Sequence, residues 1–320
     1  MSAGACASPI AKEVVMSRFV QYEEFGGPEV LQVVNVEEPQ AGEGQIRIKV
    51  SYAGLNPADF KLFHGGPIAA AFGVSLPSGV GNDLAGVVDQ VGEGVSEFAV
   101  GYEVFAAARN EAIADFAVVP VSSVLPVPAG LSLEIAGSLW IAGRTAWALV
   151  ESLDLGEQDT VLVSAASGGV GVIAAQLAKR KGATVIGTAS EANHAYLQGL
   201  GVVPVSYGDG QADRIRAAAP QGITGVIDAQ GAATISAALE LGIPLNRISS
   251  AAAHGDELQG ANSVGGAQSS NENLAELAVL VAAGDVEVPI DSRYPFDQVQ
   301  QAYVRAEGGH LRGKIVITLN

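Results

Sequence analysis

The chain has 320 residues, enough for about two domains with full cores, and its 34 acidic residues against 17 basic ones give a net charge of −17. A surface of that sign repels phosphate backbones and anionic lipid, so nucleic-acid and membrane partners are disfavoured and a solvated acidic surface is the plain reading. The one cysteine, Cys6, excludes an intramolecular disulfide and a thiolate zinc site built within one chain, and it predicts a reducing, cytoplasmic setting.

Residues 1–16 are expected to form a flexible leader: they are small and mixed, carry Lys12 and Glu13, and lack the apolar run of a secretory signal. Strand-like patterning starts at Arg18-Phe-Val-Gln-Tyr22. Up to about Pro128, short β-rich runs (30–36, 45–51, 85–91, 102–107, 116–120) alternate with Gly and Pro clusters, which predicts a mostly antiparallel β domain. Residues 131–152 read as helical; Arg144 interrupts the apolar stretch 135–150, so it reads as a buried helix and not a membrane span. Strands at 161–165, 184–188, 202–206, 225–228 and 247–251 then alternate with helices at 169–181, 191–200, 209–218 and 232–241. That alternation predicts βαβ units and a parallel sheet covered on both faces. A helix at 273–283 and strands at 286–289 and 313–318 follow, in the style of the first domain, which is expected to take this segment back.

The junction of the first strand and helix of that alternation is the most informative stretch. Val161-Leu-Val-Ser-Ala leads into the turn Ala166-Ser-Gly-Gly-Val-Gly171, which has the G-x-G-x-x-G spacing with Ala166, Gly168 and Gly171 in the three slots. Backbone without side chains lets a pyrophosphate approach, and the free N–H groups of the helix N-terminus face it. Ser167, Gly168, Gly169, Val170 and Gly171 are therefore candidate cofactor ligands. The alternative is a strand-to-helix turn with a structural role alone.

Phe25-Gly-Gly-Pro-Glu-Val-Leu31, Gly54-Leu-Asn-Pro-Ala-Asp59, Gly81-Asn-Asp-Leu-Ala-Gly-Val-Val88, the glycine turn and Arg312-Gly-Lys-Ile-Val316 occur in that order from Met16 onward. As a set they resemble the zinc-independent quinone oxidoreductase family of the medium-chain dehydrogenase/reductase superfamily. The resemblance implies an α/β protein. A Rossmann-type doubly wound parallel sheet over residues 139–266 would be joined to a GroES-like, mostly antiparallel β domain over residues 17–138 and 267–320.

The resemblance also argues about zinc. Zinc-dependent relatives carry a ligand cysteine at the place of Asn56 and a ligand histidine at the place of Asn82. Neutral amides and the residual carboxylate Asp83 do not make the three strong ligands a catalytic Zn²⁺ requires. No metal site is expected, and His64, His194, His254 and His310 show no metal-binding spacing.

Without a Lewis acid, a reduced nicotinamide works best on an acceptor already polarised toward conjugate addition, a quinone or an α,β-unsaturated carbonyl. By resemblance Tyr52, Asn56 and Asp59 lie by the nicotinamide as candidate catalytic residues, with Asn56 also a cofactor ligand. Tyr52 reads equally as a core aromatic of its strand, and Asp59 as a cap of the turn or helix after Pro57. Thr145, Ser250 and Ala251 are implied as further cofactor neighbours. Arg144-Thr-Ala-Trp147 and Ser249-Ser-Ala-Ala-Ala-His254 depart from the family's usual Leu-Thr-Ala-Tyr and aromatic-Gly-Asn stretches.

The second strand of the alternation ends Val185-Ile-Gly-Thr-Ala-Ser190 without a carboxylate to bind a ribose 2′-hydroxyl, which favours NADPH over NADH. Ser190, His194 and Tyr207 match the positions bordering the adenosine phosphate; His194 stands where relatives have lysine, and it reads alternatively as an exposed helix residue. The expectation is an NADPH-dependent, zinc-independent quinone or enone reductase. The alternatives are a zinc-free reductase of simple ketones or imines, with Arg144 an unassigned cation, and a non-catalytic NADPH-binding protein. A homodimer is expected through the apolar edge that a sheet ending at 247–251 would leave.

Overall fold

A computed structural model describes residues 15–319. Residues 1–14 of the expected leader lie outside the described residues, and Met16 already belongs to a strand. β1 (Met16–Tyr22) pairs antiparallel with β2 (Gln32–Glu37). The long β3 (Gln45–Gly54) runs into two short helices, α1 (Pro57–Phe63) and α2 (Gly66–Ala71), then β4 (Ser78–Gly79), which pairs with β1. β5 (Asp83–Val91), β6 (Glu103–Ala107), β7 (Phe116–Pro120) and β8 (Val124–Pro126) complete the antiparallel part expected from the sequence. α3 (Leu133–Ala136) and α4 (Trp140–Glu151) divide the predicted helical region.

The alternating region follows: β9 (Thr160–Val163), α5 (Gly169–Arg180), β10 (Thr184–Ala189), α6 (His194–Gly199), β11 (Val203–Ser206), α7 (Gln211–Ala218), β12 (Gly225–Asp228), α8 (Ala232–Glu240) and β13 (Ile248–Ser250). β14 (Asn262–Ser263) then adds to it, before α9 (Asn271–Ala282), β15 (Ile290–Pro295), α10 (Val299–Glu307) and β16 (Lys314–Thr318).

The six strands β9 to β14 form one parallel sheet in the order β11-β10-β9-β12-β13-β14. This is the doubly wound order, whose direction of travel reverses between β9 and β12. Both faces are buried, and the pleat assigns alternate residues to each. Val161 and Val163 join the core shared with α4, α5 and α9, while Leu162 joins Ile215, Val226 and Ile235 on the opposite face. The second sheet runs β15-β16-β3-β5-β6-β8, with β7 also paired to β3. Ile46, Ile48 and Val50, alternating on β3, point into a separate core with Leu84, Val104 and Tyr303. The returning C-terminal strand expected from the sequence is β16, antiparallel to β3.

Two expectations are corrected. Residues 286–289 are not a strand: Val286 and Val288 are buried against α5, but the Gln176 side chain receives Glu287 N–H at 2.8 Å and donates to its carbonyl at 2.9 Å, satisfying backbone a neighbouring strand would otherwise pair. Nor does β13 form the edge of the parallel sheet. Ser249 and Ser250 pair with the exposed, polar Asn262 and Ser263 of β14, so the apolar edge behind the dimer expectation is covered. Among the described residues no helix is long and apolar enough to cross a membrane.

Candidate functional site

A cavity of about 400 Å³ opens at the carboxyl ends of β9, β10 and β12, where the strand order reverses, and its far wall is the loop between α10 and β16. Ligands of open α/β sheets bind in such a crevice. The glycine turn forms its floor. Gly168 holds extended backbone as the N-cap of α5, and its N–H donates to Ala165 O at 2.8 Å. A Cβ on Gly171 would lie 2.1 Å from Ala165 O, so only glycine lets the helix pack this closely on the turn. A Cβ on Gly169 would instead meet the side-chain stem of Lys314, 2.7 Å away. Ser167, Gly168, Gly169, Val170 and Gly171 all line the cavity.

The loop before β16 is fastened across the turn. Gly313 N–H donates to Ser167 O at 2.7 Å and Ser167 Oγ donates to Leu311 O at 3.1 Å. Arg312 Nε reaches Asn193 Oδ1 at 3.0 Å, and Tyr207 Oη meets His310 Nδ1 at 2.9 Å with the two rings stacked. Ser190, Tyr207 and His310 line this end of the cavity.

At the other end stand Leu55, Asn56, Phe60 and Lys314. Lys314 is 4% exposed. Its Nζ donates to Leu55 O at 2.6 Å and to Asn56 Oδ1 at 2.5 Å, and its stem lies against Gly169. An ammonium has no acceptor, so the Asn56 atom it touches has to be the carbonyl oxygen. Behind Asn56 lie two buried carboxylates. Asp59 accepts from Asn56 N–H (2.8 Å), Asn82 Nδ2 (2.7 Å) and Tyr303 Oη (3.1 Å); Asp83 accepts from Ile141 N–H at 3.1 Å. Burial pushes both carboxyls up, Asp83 to about 6, against the pull of Lys314; burial also lowers Lys314, against the pull of both carboxylates.

These residues do not fit a catalytic zinc. The carbonyl of Asn56 is taken by the buried ammonium of Lys314, and the Asn82 amide is bound to Asp59. Among the described residues no group of three or more His, Cys, Asp or Glu is placed to hold a metal ion.

Several candidates stand outside the cavity wall. Tyr52, half-buried on β3 between Ala85 and Thr318, lies within electrostatic reach of Arg293. Asp59 sits one layer behind Asn56, in the position of a capping carboxylate for α1. Thr145, on α4, packs against Gly266. His194 turns its ring toward Ala189 O, 3.4 Å away. Ser250 donates to Asp228 Oδ2 and receives the N–H groups of Ala252 and Ala253, while Ala251 packs into the core beside α4. Arg144 is no free cation: it holds Gly266 O, Ser269 O and Asn271 Oδ1, tying α4 to the first residue of α9 and the segment before it.

Lys314, His310, Leu311 and Gln230 are cavity residues that the sequence reading did not select. Lys314 carried a usable signal, a lone lysine at the head of an apolar strand where burial demands a reason.

A doubly wound sheet and an antiparallel β unit meeting over a glycine-turn cleft are the architecture of a medium-chain dehydrogenase/reductase. Residues 42–129 match the family described as alcohol dehydrogenase GroES-like domain, and residues 200–317 the family described as zinc-binding dehydrogenase. The quinone oxidoreductase of Coxiella burnetii superposes with a TM-score of 0.86 at 30% identity, covering 96% of this chain and all of that one. The chain belongs to the quinone oxidoreductase family of that superfamily. The curated quinone oxidoreductase of Pseudomonas aeruginosa is 33% identical over 57% of this chain and 55% of its own, so the matched region spans about half the length of such relatives. A mycobacterial protein solved in complex with NADPH has a TM-score of 0.82 at 29% identity, covering 95% of this chain and all of that one.

Proposed function

We propose that this protein is an NADPH-dependent, zinc-independent oxidoreductase that reduces a quinone or an α,β-unsaturated carbonyl. The observation that carries the reading is the cavity itself, with a glycine turn and a helix N-terminus on its floor and the buried ammonium of Lys314 beside them. The turn residues 167–171 and Lys314 would hold the pyrophosphate. Ser190, Tyr207 and Arg312 would receive the adenosine phosphate; Arg312 is the cation that the loop brings against Asn193, three residues beyond Ser190. Asn56, Leu55 and Phe60 would border the nicotinamide end. When bound, the cofactor supplies a hydride. The chain orients it and screens it from water with Leu55, Phe60, Ala142 and Ile315.

Residues 139–266 would form the cofactor domain and residues 17–138 with 267–320 the substrate domain, in a cytoplasmic homodimer. Reduction of simple ketones or imines is less favoured because Arg144, its candidate cation, is engaged with backbone. The test is NADPH oxidation by a quinone, an enone and the matching saturated ketone, with and without prolonged chelation. Turnover of the first two that survives chelation is expected. Equal turnover of the saturated ketone, or activity lost to chelation and restored by Zn²⁺, overturns the reading.

A further inference from the structure

A row of polar side chains crosses one face of the parallel sheet. Leu162, Val226 and Ile248 are neighbours across β9, β12 and β13 and belong to one core. Two residues further along each strand, on the same face by the pleat, stand Ser164, Asp228 and Ser250, all fully buried. The row lies at the carboxyl ends of the strands, and β9 and β12 are the pair between which the strand order reverses. Ser164 Oγ donates to Asp228 Oδ1 at 2.7 Å, and Ser250 Oγ donates to Oδ2 at 2.5 Å. Gln230 N–H and Gly231 N–H also donate to Oδ1, both at 3.0 Å. Every partner is a donor, which suits the acceptor-only, ionised carboxylate. Because Asp228 takes the hydroxyl proton of Ser164, that oxygen is left to accept, and it receives Ala229 N–H at 2.9 Å. The N–H groups of residues 229, 230 and 231 are thus all turned into the row. Ala229 and Gln230 line the cavity; Asp228 and Ser164 do not.

We propose that Asp228 is a positioning residue for the dinucleotide: directly and through Ser164, it fixes the cavity wall at Ala229 and Gln230. The inference rests on the dinucleotide reading of the cleft and goes beyond it, because it gives a fully buried residue outside the cavity a share in cofactor affinity. A wall already held in its binding shape loses little freedom when a ligand docks. Without the carboxylate, three N–H groups are released from their acceptors, and the segment has to be ordered at the moment of binding, which weakens it.

The same three strands carry a second carboxylate clamp at their amino ends, which separates positioning from general support of the sheet. Asp159, just before β9, accepts from Thr224 Oγ1 (2.6 Å), just before β12, and from Arg247 Nη2 (2.7 Å), just before β13. None of these three residues lines the cavity, and their clamp reaches no residue that does.

The experiment is fluorescence titration of the full chain with NADH and with NADPH, alongside melting temperatures, for the wild type, Asp228→Asn, Ser164→Ala and Asp159→Asn, each at a temperature where it is folded. An asparagine at 228 brings an amide donor into a ring of donors, so its geometry fails without a change of size. Asp228→Asn is expected to weaken both dinucleotides at least about tenfold, and Ser164→Ala about threefold or more, with the NADPH-to-NADH ratio unchanged because the wall is remote from the adenosine phosphate. Asp159→Asn is expected to lower the melting temperature while leaving both affinities within about twofold. Should Asp228→Asn fail to fold, Ser164→Ala decides. Wild-type affinity in folded Asp228→Asn and Ser164→Ala overturns the inference and leaves the cofactor reading intact, as does an equal loss of affinity in Asp159→Asn. If the wild type binds neither dinucleotide, the cleft reading falls and this inference with it.

Discussion

Burying a carboxyl beside a single lysine sets the pH response of the fold itself. Asp83 is raised from an ordinary 3.8 to about 6, so the native state holds its proton more tightly than the unfolded chain does. A raised acid contributes stability that is fully present below its unfolded value and is lost as pH climbs through the folded one. Relative to Asp83→Asn, which has no charge to bury, the wild type is expected to lose on the order of 2–3 kcal/mol between about pH 4 and pH 7. Denaturant unfolding of both proteins at several pH values measures this, and parallel curves would show that Asp83 stays hydrated or fully paired. A second residue-scale expectation separates Arg312 from His194. Arg312 lies over the Tyr196 ring and bonds Asn193, beside Ser190, whereas the His194 ring faces backbone. Arg312→Ala is expected to weaken NADPH binding about tenfold, about 1.4 kcal/mol, with NADH little changed, and His194→Lys to alter neither by more than about twofold. A large NADPH gain in His194→Lys at pH 8 would restore the histidine to the phosphate site.

The two glycines at the head of α5 look interchangeable in sequence and are not in structure. Gly171 abuts the carbonyl of Ala165, fixed backbone, while Gly169 abuts the side-chain stem of Lys314. Gly171→Ala is therefore expected to lower the melting temperature and cost roughly 1–3 kcal/mol through overpacking. Gly169→Val is expected to leave the fold standing, displace Lys314 and weaken NADPH by at least about tenfold. Equal stability of the two variants would contradict the packing argument. At this scale the strength of a segment's own pattern decided how well it could be read. β9, α5 and β12 were legible because each carries a clear period between turn residues. Val-x-Val-Pro at 286–289 imitates a strand, and its real partner is the amide of Gln176, 111 residues away, which no local pattern reveals. β14 is two polar residues and leaves no pattern to find. α10 was readable, since Val299, Ala302 and Tyr303 have helical spacing, but the short turns around it hid the signal. Within the site, the glycine turn was visible because its chemistry is contiguous, while the Lys314–Asn56 pair joins residues 258 apart.

For the whole molecule, covering of the β13 edge by β14 moves any strand-to-strand dimer contact to Asn262 and Ser263. A dimer formed there is expected to be sensitive to Ser263→Pro, because proline removes a ladder donor. Light scattering across micromolar concentrations checks this; a mass of one chain for the wild type would rule the dimer out, and an unaffected dimer in the variant would place the contact elsewhere.

The fastening of the loop before β16 onto the glycine turn bears on how the protein is made. Ser167 and Leu311 are 144 residues apart, so the turn leaves the ribosome long before the wall that closes over it. The parallel sheet can assemble around its own core in that interval, but Lys314 and the far side of the cavity do not yet exist. Cofactor stabilises only what can bind it, by mass action. On the dinucleotide reading of the cleft, a cofactor would therefore give the growing chain little support during synthesis, and its stabilising effect would arrive in one step, when β16 docks on β3.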